Sequence, residues 1–569
     1  MPLLDSHTLG PARLGFAEEK DVDAFVSMLG RFERGEISAD AWKQFRLVNG
    51  VYSQRQEGEA MMVRVKIPQG ILTPRQLLAL AEVAERFSTG RGHVTTRQNV
   101  QFHFVRLAQT DEALRVLAEA GLTTREACGN SVRNVTACPY AGASALEPFD
   151  STPFAEAVTR HLLRGPLSSS LPRKFKIAFG GCCGFDCVGA AFNDVGFLAR
   201  MKDGKPGFRV TLAGGLSTVR RTGVLAHEFV PAGEAVEICE AVVRVFNRTG
   251  DRQHRHRARL KFVVDKLGTA EFLRQYFEER GALQALRPVP TARPPALRPV
   301  SPRPRAPQPG FEEFARTNVR PQRDPELAAV TVRLPLGDLE ARQFRALAAI
   351  AEEFSAEREL RTTVEQNVLL RFVPRAHLAS LHAALSSAGL ARPGARTISD
   401  VVSCPGAWSC RLAVTQSRGM ADALTVALAD RPESLPIKIS GCPNGCGQHY
   451  VAAIGLQGSV RKAEGRAVPQ YHLYVGGEFG VGEASFGRLA AKVPARKVAE
   501  AVRRLADLAA REAAPGETAA AFLGRVSPER ISGLLADLEA LERPAAEDFV
   551  DLGEEKAFEV QTSEGECAA

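Results

Sequence analysis

No run of residues in this 569-residue chain is apolar enough to span a membrane, and Met1 to Lys20 has no apolar stretch behind a basic start. An embedded or exported protein is not expected; a cytoplasmic one is. Eleven cysteines are too few for a disulfide scaffold, which points to a reducing compartment where thiols serve metals. No Gly-x-Gly-x-x-Gly follows an alternating apolar segment, so the chain lacks the mark of a nucleotide or flavin domain. The net charge is +8, yet neither a lysine-rich arm nor interleaved aromatics accompany it, which argues against a nucleic-acid partner. The cations are then read as serving an anionic substrate, a carboxylate-bearing cofactor or an acidic electron carrier.

Single cores stop growing at roughly 250 to 300 residues, so more than one domain is expected. Val63, Val65 and Ile67 alternate with Arg64 and Lys66, which reads as a half-buried strand. A turn at Pro68 to Gly70 follows, then a helix with Leu77, Leu80, Ala84 and Phe87 on one face. Val100, Phe102 and Phe104 alternate in the next strand. This β-α-β unit returns in Val330, Val332 and Leu334, in Phe344, Leu347, Ala351 and Phe354, and in Val368, Leu370 and Phe372. Arg75-Gln76 matches Arg342-Gln343, and Thr95-Thr96 matches Thr362-Thr363, at one offset of 267 residues. Two copies imply two pseudo-symmetric halves, because a solenoid needs three or more units. Arg287 to Gly310 is rich in proline and arginine and reads as the linker between them.

Four thiols stand out in the second half: Cys404 and Cys410 in a Cys-x5-Cys clip, Cys442 and Cys446 in a Cys-x3-Cys clip, each bent by Gly and Pro. Thiolate sulfur suits iron-sulfur clusters, zinc or Cu(I). Zinc usually takes gaps of two to four residues, and the first clip is wider. A cubane cluster is therefore the expectation, with zinc and plain structural thiols as alternatives. Cys182, Cys183 and Cys187 resemble a further cluster but have no partner clip nearby, and read as small buried residues.

The first half supplies the positive charge, through Arg64, Arg97, Arg133, Arg173, Lys174 and Lys176. Alternation puts Lys174 and Lys176 on one face of an extended segment. A charge pair at about 4 Å gains roughly 4 kcal/mol at an effective dielectric near 20, so two or three such cations offset the desolvation of a dianion. Crowding also lowers the proton affinity of the lysines.

At the two cysteine clips the chain resembles the sirohaem-containing sulfite and nitrite reductases, and the resemblance runs from about Asn49 to about Leu541 outside the linker. It implies an α+β fold of two halves, each with a ferredoxin-like unit and a larger cofactor-binding domain. The divisions expected are an arm over 1–53, ferredoxin-like units over 54–118 and 311–392, a sirohaem- and substrate-binding domain over 119–286, the linker over 287–310, a cluster-binding domain over 393–544 and an acidic tail over 545–569. It further implies that Cys404, Cys410, Cys442 and Cys446 hold a 4Fe-4S cluster, with Cys446 bridging to the sirohaem iron and Asn444 beside the cofactor. Arg64, Arg133, Lys174 and Lys176 would hold the oxyanion, and Arg97, Gln101, His103 and Arg173 would meet sirohaem carboxylates. His93 stands where many relatives carry another arginine. Arg257, Arg259 and Lys261 are further candidates. Relatives specialised for nitrite tend to carry asparagine at the position of Lys176, so the expected reaction is six-electron reduction of sulfite. The expected donor is ferredoxin ahead of a flavoprotein subunit. The rivals are nitrite reduction, a corrin-ring oxygenase of the same superfamily, and a non-enzymatic iron-sulfur or zinc module.

Overall fold

The computed structural model describes residues 15–56, 58–182, 186–283, 297–480, 482–562 and 565–566. Cys183, Cys567 and the first part of the expected linker lie outside them. From residue 297 to 310 the chain forms neither helix nor strand. It runs along the second half, with Arg298 N donating to Ala356 O at 2.8 Å and Arg305 N to Ser380 Oγ at 2.8 Å.

The duplicated units are present, and they interlock. One antiparallel sheet is ordered Val51–Ser53, Ala60–Val65, Val100–Arg106, Arg91–Val94, and takes its fifth strand, Asp338–Glu340, from the other half. Its counterpart, ordered Val319–Pro321, Leu327–Val332, Val368–Pro374, Leu360–Thr362, takes Ile71–Leu72 in return. Helices Pro74–Phe87 and Ala341–Phe354 start at matching capping boxes. In the first, Thr73 N donates to Gln76 Oε1 at 3.0 Å; in the second, Glu340 N donates to Gln343 Oε1 at 3.0 Å. Their apolar faces meet in one core that contains Leu77, Leu80 and Phe87 together with Phe344, Leu347 and Phe354. Each such side chain contributes about 1.5–3 kcal/mol on burial, so the two units stabilise one another.

The expected strand alternation breaks at Phe104. Its φ is +60°, its N–H donates to Gln54 Oε1 at 2.7 Å, and its ring meets Trp408 edge-on at 4.9 Å. Phe372 does the same in the other copy, with φ +52° and its N–H on Gln322 Oε1 at 3.0 Å. Gln98 and Gln366 are likewise both left-handed, at +58° and +64°. Non-glycine residues rarely adopt this region, so its recurrence at paired positions marks the duplication in the backbone itself.

The larger sheets are also paired. Thr136–Ala137, Ile177–Gly180 and Val195–Lys202 run parallel, then Lys205–Leu212 and Val224–Pro231 antiparallel. Val402–Ser403, Ile437–Ser440 and Ile454–Ala463 run parallel, then Arg466–Val475 and Arg488–Pro494 antiparallel. Helix Ala235–Thr249 covers the first sheet and Val498–Glu512 the second, each with its own core.

Candidate active site

Both cysteine clips leave the same edge of the second large sheet. Ser403 pairs with Ile439 across parallel strands, so Cys404 and Cys442 emerge side by side from neighbouring strand ends. Cys404 N donates to Ile439 O at 3.2 Å, and Gly441 N donates to Cys404 Sγ at 3.3 Å. Ser417 Oγ lies 3.4 Å from the same sulfur. Gly447 follows Cys446 because a Cβ there would fall 1.8 Å from Ile439 O. Burial pushes the Cys442 thiol up to about 12, and the sulfurs of Cys446 and Cys404 add to the effect. Three of the four thiols therefore share one field. Cys404 and Cys410 are half-buried, Cys442 is buried and Cys446 is exposed.

Among the described residues, no group of three or more His, Cys, Asp or Glu side chains is set to hold a single metal ion. Two thiols at neighbouring strand ends, Cys404 and Cys442, and two further along their loops, Cys410 and Cys446, make a donor set of the kind that holds an Fe-S cluster.

The first half closes over this edge. Thr96 Oγ1 donates to Cys446 O at 2.8 Å, and Gln448 Nε2 to Thr96 O at 3.4 Å. Thr96 sits in the turn that carries Arg97, whose guanidinium donates to Asn193 Oδ1 at 2.9 Å and Asn134 O at 2.6 Å. Burial and the nearby Arg133 lower the proton affinity of Arg97, although a guanidinium stays charged. Burial also drives Lys176 well below the ordinary lysine range; Arg97, Arg259 and Lys174 push it the same way, and Cys446 opposes them. Lys176 thus lies in the field of both the cations and the thiols. The two halves build one composite site.

Arg64 and Arg133 form a second cationic pair. Ala127 O accepts from Arg64 at 3.4 Å and from Arg133 at 3.1 Å, and Gly129 O accepts from Arg133 at 2.8 Å. Arg64 lies over the Tyr52 ring at 5.2 Å. Gln101, with its amide oxygen turned towards Arg64, accepts from it at 2.6 and 3.0 Å. Arg173 reaches Asn130 Oδ1 at 3.5 Å, and Lys174 is half-buried beside it.

His103 is placed differently from the guanidinium groups. Its ring lies 4.9 Å from Trp408, inside the first cysteine clip, and 6.2 Å from His93. Neither ring nitrogen meets a hydrogen-bond partner among the described residues, and burial, aided by His93 and Arg418, holds the ring well below its usual range. Buried orphan nitrogens at His103 and at Arg97 Nε are what a bound group with acceptor oxygens would satisfy. The donor set fits a cluster and a carboxylate-bearing macrocycle.

His93, in the place of an arginine, joins the halves instead. Its Nδ1 pairs with Asp338 Oδ1 at 3.1 Å, and Gln366 Nε2 lies 3.1 Å from its Nε2. Of the three weaker candidates, Arg257 is exposed, whereas Arg259 donates to Asp194 Oδ2 at 2.9 Å and Lys261 Nζ to Leu216 O at 2.8 Å. Asp194, the buried counter-ion of this wall, was not singled out from the sequence, since a lone aspartate before a strand carries no signal. Asn444 is exposed at the tip of the second clip.

A duplicated α+β scaffold that sets strand-end thiols against basic side chains defines a class of iron-sulfur oxidoreductase acting on anions. The chain belongs to the nitrite and sulfite reductase family, which carries a 4Fe-4S cluster and sirohaem. It matches the family described as "Nitrite and sulphite reductase 4Fe-4S domain" over residues 128–283 and 394–533, and that described as "Nitrite/Sulfite reductase ferredoxin-like half domain" over 52–120 and 320–388. Among curated relatives, "Ferredoxin--nitrite reductase" of Leptolyngbya laminosa is 33% identical over 81% of this chain and 89% of that one. "Sulfite reductase [ferredoxin]" of Mycobacterium tuberculosis H37Rv is 29% identical over 77% of this chain and 80% of that one. The solved structure titled "Structure of Mycobacterium tuberculosis NirA protein" superposes with a TM-score of 0.75 at 27% identity, covering 89% of this chain and 95% of that one. No helix among the described residues is long and apolar enough to cross a membrane.

Proposed function

We propose that the protein reduces sulfite to sulfide with six electrons delivered singly by ferredoxin, in the cytoplasm. In this reading Cys404, Cys410, Cys442 and Cys446 hold the 4Fe-4S cluster, with Cys446 next to the sirohaem and Asn444 beside it. Arg97, Gln101, His103 and Arg173 meet the sirohaem carboxylates. When bound, these cofactors supply the electron storage and transfer that no amino acid side chain provides. Arg64, Arg133, Lys174 and Lys176 bind and orient the oxyanion, and the lysines hold protons for the departing oxygens.

The observation that carries this reading is the gathering of Lys176, Arg259 and Arg97 about Asn193 and Asp194: Asp194 Oδ2 accepts from Lys176 N and from Arg259 at 2.9 Å each, Asn193 Oδ1 accepts from Arg97 at 2.9 Å, and Thr96 beside Arg97 donates to Cys446 O at 2.8 Å. A sulfite dianion gains more from a second lysine than a nitrite monoanion does. The names of the relatives support ferredoxin as donor but divide between the two substrates, so nitrite reduction is the second reading. Steady-state turnover of sulfite and nitrite with reduced ferredoxin separates them. Sulfite is expected to give the higher kcat/KM, and Lys176→Asn to lower sulfite turnover by about 10²-fold, the scale of a lost proton donor, while sparing nitrite. A wild-type preference for nitrite, or an equal loss on both substrates, overturns the assignment to sulfite.

A further inference from the structure

The first half contains a second nest of sulfur at the pseudo-symmetric position of the cluster loops. Cys138 follows strand Thr136–Ala137 as Cys404 follows Val402–Ser403, and Cys182 lies two residues beyond Ile177–Gly180 as Cys442 lies two beyond Ile437–Ser440. The hydrogen bonds repeat as well. Cys138 N donates to Phe179 O at 2.9 Å and Cys404 N to Ile439 O at 3.2 Å. Ala137 N donates to Gln98 Oε1 at 2.9 Å and Ser403 N to Gln366 Oε1 at 2.9 Å.

Two of the four cluster positions have changed. Ser144 occupies the place of Cys410, six residues after the first thiol, and Asp186 that of Cys446, four after the second. The Asp186 carboxylate is spent on backbone, accepting from Val188, Gly189 and Ala190 N–H at 3.0, 2.9 and 2.6 Å. A four-thiolate cluster cannot assemble here. Yet Cys138 Sγ and Cys182 Sγ are 3.9 Å apart, both fully buried, and Cys182 Sγ lies 3.5 Å from Ser144 Oγ. Cys187, also buried, hydrogen-bonds to both members of the pair. Lone buried thiols such as Cys239 have no such company.

We propose that Cys138 and Cys182 are a peroxide-oxidisable dithiol, a site distinct from the cluster ligands. The Cys182 thiolate attacks one oxygen of a hydroperoxide, giving Cys182 sulfenic acid and releasing hydroxide or alkoxide. The Cys138 thiol then displaces the sulfenic oxygen as water, and the sulfur–sulfur bond forms. Two thiols are oxidised and one peroxide bond is reduced. Hydrogen bonds from Cys138 and Cys187, with Arg320 nearby, hold the Cys182 thiol well below its ordinary range despite burial, whereas burial pushes Cys138 well above it. With the Ser144 hydroxyl also 3.5 Å from Cys182 Sγ, Cys182 is cast as the attacker and Cys138 as the resolver. A disulfide needs the sulfurs at about 2.05 Å, roughly 2 Å closer than they stand here.

The test treats anaerobically purified holoprotein with hydrogen peroxide, alkylates the remaining thiols and maps peptides by mass spectrometry. Cys138 is expected to be joined to Cys182 and lighter by two hydrogens, with Cys239 still alkylated as a thiol. Cys183→Ser is expected to keep the link and Cys182→Ser to abolish it, leaving Cys138 open to alkylation. Cys138 remaining fully alkylated after peroxide, or linked in Cys182→Ser or to Cys187, overturns the proposal.

Discussion

Arg371 carries its guanidinium into the protein with 1% side-chain exposure against Glu357 at 2%, donating through Nε to Glu357 Oε1 at 2.8 Å and through Nη1 to Ala141 O of the other half. Such a pair contributes little net stability while intact, but removing one partner strands the other charge. Arg371→Met is expected to cost about 3 kcal/mol, read as a lowered denaturation midpoint, and to exceed the cost of the double substitution with Glu357→Leu. Asp186 offers a pH test at the same scale. Burial raises its pKa from 3.8 to about 6, so the folded state holds a proton that the unfolded state has released between those values. Its contribution is present below pH 3.8 and lost as pH rises through 6. Asp186→Asn should therefore compare better with the wild type near pH ~7.5 than near pH ~4.5, by about 2 kcal/mol, in paired melting experiments.

Among elements, the turns bearing Gln98 and Gln366 matter most, because each ties a strand end to the opposite half. Gln366 accepts from Ser403 N at 2.9 Å, one residue before Cys404, and donates to Val94 O at 3.0 Å. Gln366→Ala leaves those buried groups unpaired, a cost of about 1–3 kcal/mol, and is expected to lower iron and acid-labile sulfide per chain. Full iron content in that variant would show that the first clip does not depend on this tie. The β-α-β units, their apolar faces and their duplication were legible in the sequence because period-2 and period-3.6 patterns report burial directly. Phe104 misled that reading: a left-handed φ set by Gln54 turns its ring onto Trp408, and nothing local in the sequence signals a side-chain hydrogen bond from fifty residues away. The exchange of strands Ile71–Leu72 and Asp338–Glu340 was equally hidden, since two- and three-residue strands have no period to read.

At the scale of the molecule, the acidic tail is held by helix Ala39–Val48 and strand Val51–Ser53. Arg46 donates to Glu566 Oε2 at 2.8 Å, with both side chains under 10% exposed, and Ser53 N donates to the same oxygen at 2.8 Å. The acidic tail had offered no usable motif in the sequence. Its buried role depends on a partner 520 positions away. Glu566→Gln is expected to lower thermal stability by about 3 kcal/mol, the cost of an uncompensated buried cation, and differential scanning calorimetry reads it directly. The four clip cysteines were legible because their spacing is a local property. The way the cations gather was not, because Arg97, Lys176 and Arg259 are far apart in sequence and converge only once the ferredoxin-like unit and the larger domain of the first half have packed together.

If thiols of the second half and cations of the first enclose a coupled 4Fe-4S and sirohaem centre, the absorption spectrum of protein purified without oxygen must carry the signature of both cofactors. Haem-type bands superposed on a broad iron-sulfur envelope are predicted, and both should be lost in Cys446→Ser. A colourless protein that retains zinc, or an iron-sulfur envelope without haem bands, would contradict it.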